Sequence, residues 1–143
     1  MKIHQISLFV ENKPGHIVAP ARLLAKEGVD IRALYLADTQ QYGILRMIVS
    51  DWQKAAQVLE ANEFVVKVTE VLAVEVPDHP GGLADVLVAL DGTGINIEYM
   101  YGFPYLLGDQ AILIFRFADP DAAIERLQAT GINLLASDEL LNK

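Results

Sequence analysis

Two copies of one turn constrain this chain more than any other feature. Glu11-Asn12-Lys13-Pro14-Gly15 and Pro77-Asp78-His79-Pro80-Gly81 each follow an apolar, β-branched run and precede an amphipathic helical pattern. The two Pro-Gly pairs are offset by 66 residues (80 − 14), as are Gly28 and Gly94, and Asp30 and Asn96. A fixed offset across three features marks an internal repeat, and a repeat decides the fold before local signals are weighed. The expected domains are residues 1–70 and 71–143. Units of about 70 residues bury little surface alone, so each is expected to lean on its twin or on a second chain.

Each repeat reads βαββαβ. In the first, Ile6, Leu8 and Val10 alternate against Ser7 and Phe9, as a strand does. The turn breaks that strand, and a helix follows to about Lys26, ended by Gly28. Pro20 is awkward in this helix, because it has no backbone N–H to donate; it fits only if the helix begins just before it. Asp30 to Ala37 and Tyr42 to Val49 form a hairpin around Asp38-Thr39-Gln40-Gln41. Asp51 caps a second helix, Trp52 to Ala61, and Phe64 to Val68 closes the unit. The second repeat follows suit: strand Leu72–Val76, a helix with Leu83, Val86, Leu87 and Leu90 on one stripe, hairpin strands Ile95–Tyr101 and Ala111–Phe117, a helix capped by Asp119 with Pro120 first, and strand Ile132–Ala136. Asp51 and Asp119 are offset by 68 (119 − 51), so the second hairpin loop carries two extra residues (68 − 66) around Gly102 to Asp109. No linker separates the units, since Val68-Thr69-Glu70-Val71-Leu72-Ala73 runs from strand into strand.

Chemistry is scarce. The chain has no cysteine, which excludes disulfides and thiolate metal sites. Ser7, Ser50 and Ser137 sit in no nucleophile elbow, and His4, His16 and His79 form no zinc-binding pattern. His4 reads as a surface strand residue. Gly92-Thr93-Gly94 ends a helix rather than opening one, so it is no dinucleotide fingerprint. Asp119 and Asp121 suit a helix start, where carboxylates meet the dipole. Net charge is −8. Residues 1–71 hold eight Lys/Arg and eight Asp/Glu; residues 72–143 hold three and eleven, so the imbalance belongs to the second half. An acidic chain without a basic cluster is a poor nucleic-acid binder. Polar residues interrupt every apolar run, no signal peptide opens the sequence, and a cytoplasmic protein without a membrane partner is expected. Tyr99, Tyr101, Phe103 and Tyr105 alternate onto one face, either as a core or interface stripe or as a lid over a ligand.

The turns remain. Each leads into a helix N-terminus, where unpaired N–H groups and the dipole favour an anion. Each places glycine after proline, so a ligand can approach the backbone. Each carries a short polar residue, Asn12 or Asp78, and the strand after the helix opens with Asp30 or Asn96. Were those polar groups to converge at one end of the sheet, they would seat a zwitterion. The plainer alternative is that Asn12 and Asp78 only make the turn and Asn96 only starts a strand.

The pattern Asn12-x-Pro14-Gly15, helix, Gly28-Val29-Asp30-Ile31, repeated as Asp78-x-Pro80-Gly81-x-Leu83, helix, Gly94-Ile95-Asn96-Ile97, resembles the ACT domain, twice over nearly the whole chain. The resemblance implies an α+β fold of two ferredoxin-like βαββαβ repeats packed side by side, with antiparallel sheets in order 4-1-3-2 and helices on one face. It implies a non-enzymatic, amino-acid-binding regulatory protein, with the ligand at the interface between repeats and no cofactor. Its expected partners are a free amino acid or similar small zwitterion, a second copy in a homodimer, and an enzyme of amino-acid metabolism. By the family match, Asn12 and Asp30 belong to one half-site and Asp78 and Asn96 to the other. Pro14, Gly15, His16 and Ile31, with Gly81, Gly82, Leu83 and Ile97, complete the expected ligand-binding set. The chain departs from the pattern at Pro20 and at Asp30, where Asn is commoner. The second turn, which feeds a helix without proline, is the better-formed anion seat. The alternative is an assembly module with vestigial pockets. A small enzyme on the same scaffold would lack a nucleophile or metal cluster.

Overall fold

A computed structural model describes residues 1–38 and 40–141. The expected turn Asp38–Gln41 includes Thr39, which lies outside the described residues. The chain divides into two compact units, His4–Thr69, and Met1–Ile3 with Glu70–Lys143. The first three residues join the second unit through Lys2, whose amine meets Asp121 at 2.8 Å. That hydrogen bond to Asp121 holds the Lys2 pKa above the usual amine value.

The first unit contains β1 (Ile3–Glu11, its first residue counted with the other unit), α1 (Val18–Lys26), β2 (Ile31–Asp38), β3 (Tyr42–Val49), α2 (Trp52–Ala61) and the opening of β4 (Val65–Pro77). Its strands lie in the order β2-β3-β1-β4, with β1 and β2 both antiparallel to β3. In the second unit, β4 continues and is followed by α3 (Gly82–Leu90), β5 (Ile97–Gly102), β6 (Gln110–Phe117), α4 (Pro120–Ala129), β7 (Leu134–Leu135) and α5 (Ser137–Leu141). The order there is β5-β6-β4-β7. Numbered within each repeat, both orders are 4-1-3-2, the ferredoxin-like α+β arrangement.

Alternation explains how each unit buries a core. Ile6, Leu8 and Val10 of β1 meet Leu45, Met47 and Val49 of β3 and, from the helices, Leu24, Ala55 and Leu59. In the second unit Leu72, Val74 and Val76 meet Phe115, Phe117, Val86, Leu90, Ala123 and Leu127 in the same way. The helices therefore cover one face of each sheet. Strict alternation fails at one place in each repeat. The register slips between Ile31 and Ala33, and again between Ile97 and Tyr99. The bulged residues are Arg32 and Glu98, again 66 apart (98 − 32). A bulge inserts one residue and flips the side chains beyond it. It thus keeps Ile31 and Ile97 against the helices while Tyr35 and Tyr99 turn to the other face.

Pro20 is the third residue of α1, within the first turn. Its missing N–H is one of the donors that a helix start leaves without an intrahelical acceptor, so no kink results. Asp51 and Asp119 cap as expected, accepting from the Lys54 and Ala122 N–H at 3.1 Å each. His4 is half-buried rather than a plain surface residue: its ring stacks on Trp52 with centroids 4.3 Å apart. The final strand is shorter than Ile132–Ala136, because the chain turns into α5. Glu139 reaches back to accept the Ala136 N–H at 3.0 Å, half of a capping box. Of the alternating aromatics, Phe103 is buried and touches Tyr105 edge-on at 5.7 Å, while Tyr105 is exposed.

Candidate functional site

The two turns are alike in sequence but not in backbone. Gly15 and Gly81 both take left-handed φ, 77° and 90°. After Gly81 the helix starts at once: Gly82 is the first residue of α3. After Gly15, His16 stands at the position of Gly82 (82 − 66), and α1 starts two residues later at Val18. The cause is steric. A Cβ at Gly82 would lie 2.1 Å from the Pro77 carbonyl oxygen. Only glycine lets the start of α3 close onto the end of β4. His16 cannot repeat that approach, so the first turn is looser.

The register corrects one expectation. Glu11, just before Asn12, pairs with Tyr42 at the start of β3; Ile31, just after Asp30, pairs with Val49 at its end. Seven residues at about 3.3 Å each put Asn12 and Asp30 more than about 20 Å apart. Asp78 and Asn96 are separated likewise, beside Gln110 and Phe117. Two parallel strands joined by a helix place the end of one and the start of the other at opposite ends of the strands. The pairs Asn12 with Asp30, and Asp78 with Asn96, therefore do not converge within a unit. Asp30 has local work instead: its N–H donates to the Ser50 hydroxyl at 2.9 Å and its carboxylate accepts from Arg32 at 3.3 Å. The Asn96 carbonyl accepts from the Ala118 N–H at 3.1 Å. Ile31 and Ile97 pack against the two cores. Leu83 is partly exposed on α3.

In the second unit a cleft of about 470 Å³ opens where α3 starts. Glu75 and Pro77 form one wall, with Gly82, Asp85 and Val86 along the helix. Thr130, Ile132 and Asn133, from the segment after α4, form the facing wall. Asn133 donates its side-chain N–H to the Glu75 carboxylate, and the Glu75 N–H donates to the Asn133 carbonyl at 3.0 Å. Those two bonds tie the walls together at one end. Among the described residues the cleft lining carries the carboxylates of Glu75 and Asp85 and no Lys or Arg, while Arg126 donates to the carbonyl of the lining residue Ala89 at 2.7 Å. The N-terminus of α3 opposes those carboxylates locally. Gly82 N–H donates to the His79 carbonyl at 3.0 Å, and the N–H groups of Leu83 and Ala84 have no acceptor within the helix. An acidic wall beside a helix N-terminus is a dipolar seat, suited to an ammonium group at one end and an anion at the other.

In the first unit the equivalent space is divided. A depression of about 260 Å³ lies on Phe9, Glu11, Lys13 and His16, and a more open groove of about 460 Å³ lies on Ala19, Arg22, Lys26 and Asn62. Phe64 lines both. Of the residues expected from sequence, only Gly82 and His16 line these spaces. Sequence reasoning missed Glu75, Asp85, Thr130, Asn133 and Phe64. One signal was there: Glu75 is the charged interruption of the apolar run Leu72–Val76.

No helix among the described residues is long and apolar enough to cross a membrane. The whole chain, residues 1–143, matches the family model of an ACT domain pair. It superposes on a crystal structure of a protein from Bacteroides thetaiotaomicron with a TM-score of 0.92 and 38% identity, over 100% of this chain and 98% of that one. The ligand-free regulatory subunit of aspartate kinase from Thermus thermophilus gives a TM-score of 0.62 at 19% identity, over 88% and 91%. The corresponding subunit from Thermus flavus gives 0.62 at 18%, over 90% and 91%. At those identities the likeness is one of fold. No curated protein matches the chain.

Proposed function

Because the chain belongs to the ACT domain-pair family, we propose that it is a regulatory protein that binds a free amino acid, or a similar small zwitterion, in the cleft of its second unit. One observation carries this reading: the cleft sets the carboxylates of Glu75 and Asp85 beside the first turn of α3. The ligand's carboxylate lies toward the N-terminal end of α3, where Gly82 lines the cleft and the helix dipole favours an anion. Its ammonium group lies against Asp85, the carboxylate not already engaged by Asn133. Pro77, Val86 and Ile132 receive its side chain. The role is regulatory and not catalytic, as in the aspartate kinase regulatory subunits that share the fold. A homodimer and a partner enzyme of amino-acid metabolism belong to the same reading. Binding regulates only if the ligand favours one arrangement of the protein over another.

Isothermal titration against the twenty amino acids, at millimolar concentration, tests it. At least one should give saturable heat and raise the melting temperature. A flat response to all of them, with no thermal shift, sinks the reading. It would favour the second one, an assembly module with vestigial pockets, which draws support from the divided groove of the first unit.

A further inference from the structure

We infer that the chain holds one amino-acid seat and not two, and that Phe64 is the residue that closes the first repeat. The inference rests on the reading above, that the second unit's cleft binds an amino acid.

The two repeats provide their own comparison. Residues offset by 66 match along the first strand and helix, and residues offset by 68 match along the last helix and strand. On this scale the turn end of the second cleft, Glu75, Pro77 and Gly82, corresponds to Phe9, Glu11 and His16. Its far end, Asp85, Val88 and Thr130, corresponds to Ala19, Arg22 and Asn62. In the second unit both sets line one cleft. In the first they fall into two separate spaces. The residue common to both spaces is Phe64, and its counterpart is Ile132 (132 − 64 = 68).

The backbone delivers these two side chains identically. Glu63 and Gly131, which precede them, both take left-handed φ, 68° and 79°. The Phe64 N–H donates to the Leu59 carbonyl at 3.1 Å, and the Ile132 N–H to the Leu127 carbonyl at 3.0 Å. Each side chain then packs against its own core. At this step the two repeats differ in the side chain, while at the turns they differ in backbone as well. A phenyl ring spans the groove that the shorter isoleucine leaves open. Glu63 holds a conformation that costs any residue with a Cβ, so the plug is set on a strained step that glycine would take freely. The charged groups differ as well. Ala19 stands where Asp85 offers its carboxylate, so the first groove lacks that partner for an ammonium group.

Equilibrium dialysis against a mixture of the twenty amino acids, with amino-acid analysis of the bound fraction, counts the seats. The wild-type chain should hold one amino acid. Ile132→Phe, which moves the plug to the second repeat, should hold none. Phe64→Ile combined with Ala19→Asp should double the bound amount to two per chain. Two amino acids per wild-type chain would overturn the single-seat inference and leave amino-acid binding intact, and full binding by folded Ile132→Phe would overturn the phenyl plug. A double variant that stays at one would overturn the role of Phe64. No amino acid on the wild type would overturn the underlying reading itself, and this inference with it. Far-UV circular dichroism of each variant separates loss of binding from loss of fold, and the double variant keeps the test live if Ile132→Phe does not fold.

Discussion

Gly82→Ala should lower the melting temperature by roughly 10 °C, a large effect for the addition of one methyl group. The methyl would sit 2.1 Å from the Pro77 carbonyl oxygen and the carbonyl carbon lies only 3.1 Å away. Both atoms are backbone, so no side chain can swing aside. Either the start of α3 moves off β4 or the Pro77 peptide rotates. Rotation is resisted because the same oxygen accepts the His79 N–H at 3.0 Å, and movement breaks the Gly82-to-His79 bond. Overpacking of this kind costs about 1–3 kcal/mol, at the upper end where backbone must give. His16→Ala, at the matching position of the first repeat, should leave the melting temperature within about 2 °C, because that turn already accommodates a side chain. Differential scanning calorimetry of the two variants checks the pair. Equal losses would mean that the tight approach at Gly82 contributes nothing.

The second large effect concerns binding. Asp85→Asn should weaken the amino acid found by titration by about 2 kcal/mol, roughly thirty-fold, the usual worth of a hydrogen bond to a charged group. Its effect on stability should be small. Asp85 lies in the first turn of α3, where losing a carboxylate costs about 0.3–1 kcal/mol against the helix dipole. Asp78→Asn is the informative control. Asp78 sits in the turn but does not line the cleft. Its substitution should change affinity by less than about three-fold, within the spread of a surface charge. If Asp78→Asn weakened binding and Asp85→Asn did not, the ligand would lie at the turn and not in the cleft.

That contrast shows how far the sequence could be read. The repeat and the helix caps at Asp51 and Asp119 follow from the residues themselves, because periodicity and capping act over a few residues; the strand order followed only from the resemblance to the ACT domain. The site did not follow as easily. Polar residues near the turns pointed to Asn12 with Asp30 and Asp78 with Asn96, yet the strand register holds each pair at opposite ends of the strands. Spacing along a chain says little about distance across a βαβ unit until the strand directions are assigned. The cleft also takes Thr130, Ile132 and Asn133 from the far end of the repeat. Nothing local to the turn announces those residues. The role of Phe64 becomes visible only when the two repeats are compared in three dimensions, since in sequence it is one more apolar strand residue. The Pro-Gly turns keep their importance in altered form. Gly81 supplies the left-handed step, and Gly82, the residue after the motif, permits the close approach.

The most direct measurement is a crystal structure of the protein grown with the twenty amino acids, each at millimolar concentration. Electron density for one amino acid per chain should appear in the second unit's cleft. Its ammonium nitrogen should lie about 2.7–3.2 Å from an Asp85 carboxylate oxygen, with its carboxylate toward the N-terminal end of α3. Density for an amino acid anywhere else, with this cleft unoccupied, would contradict it.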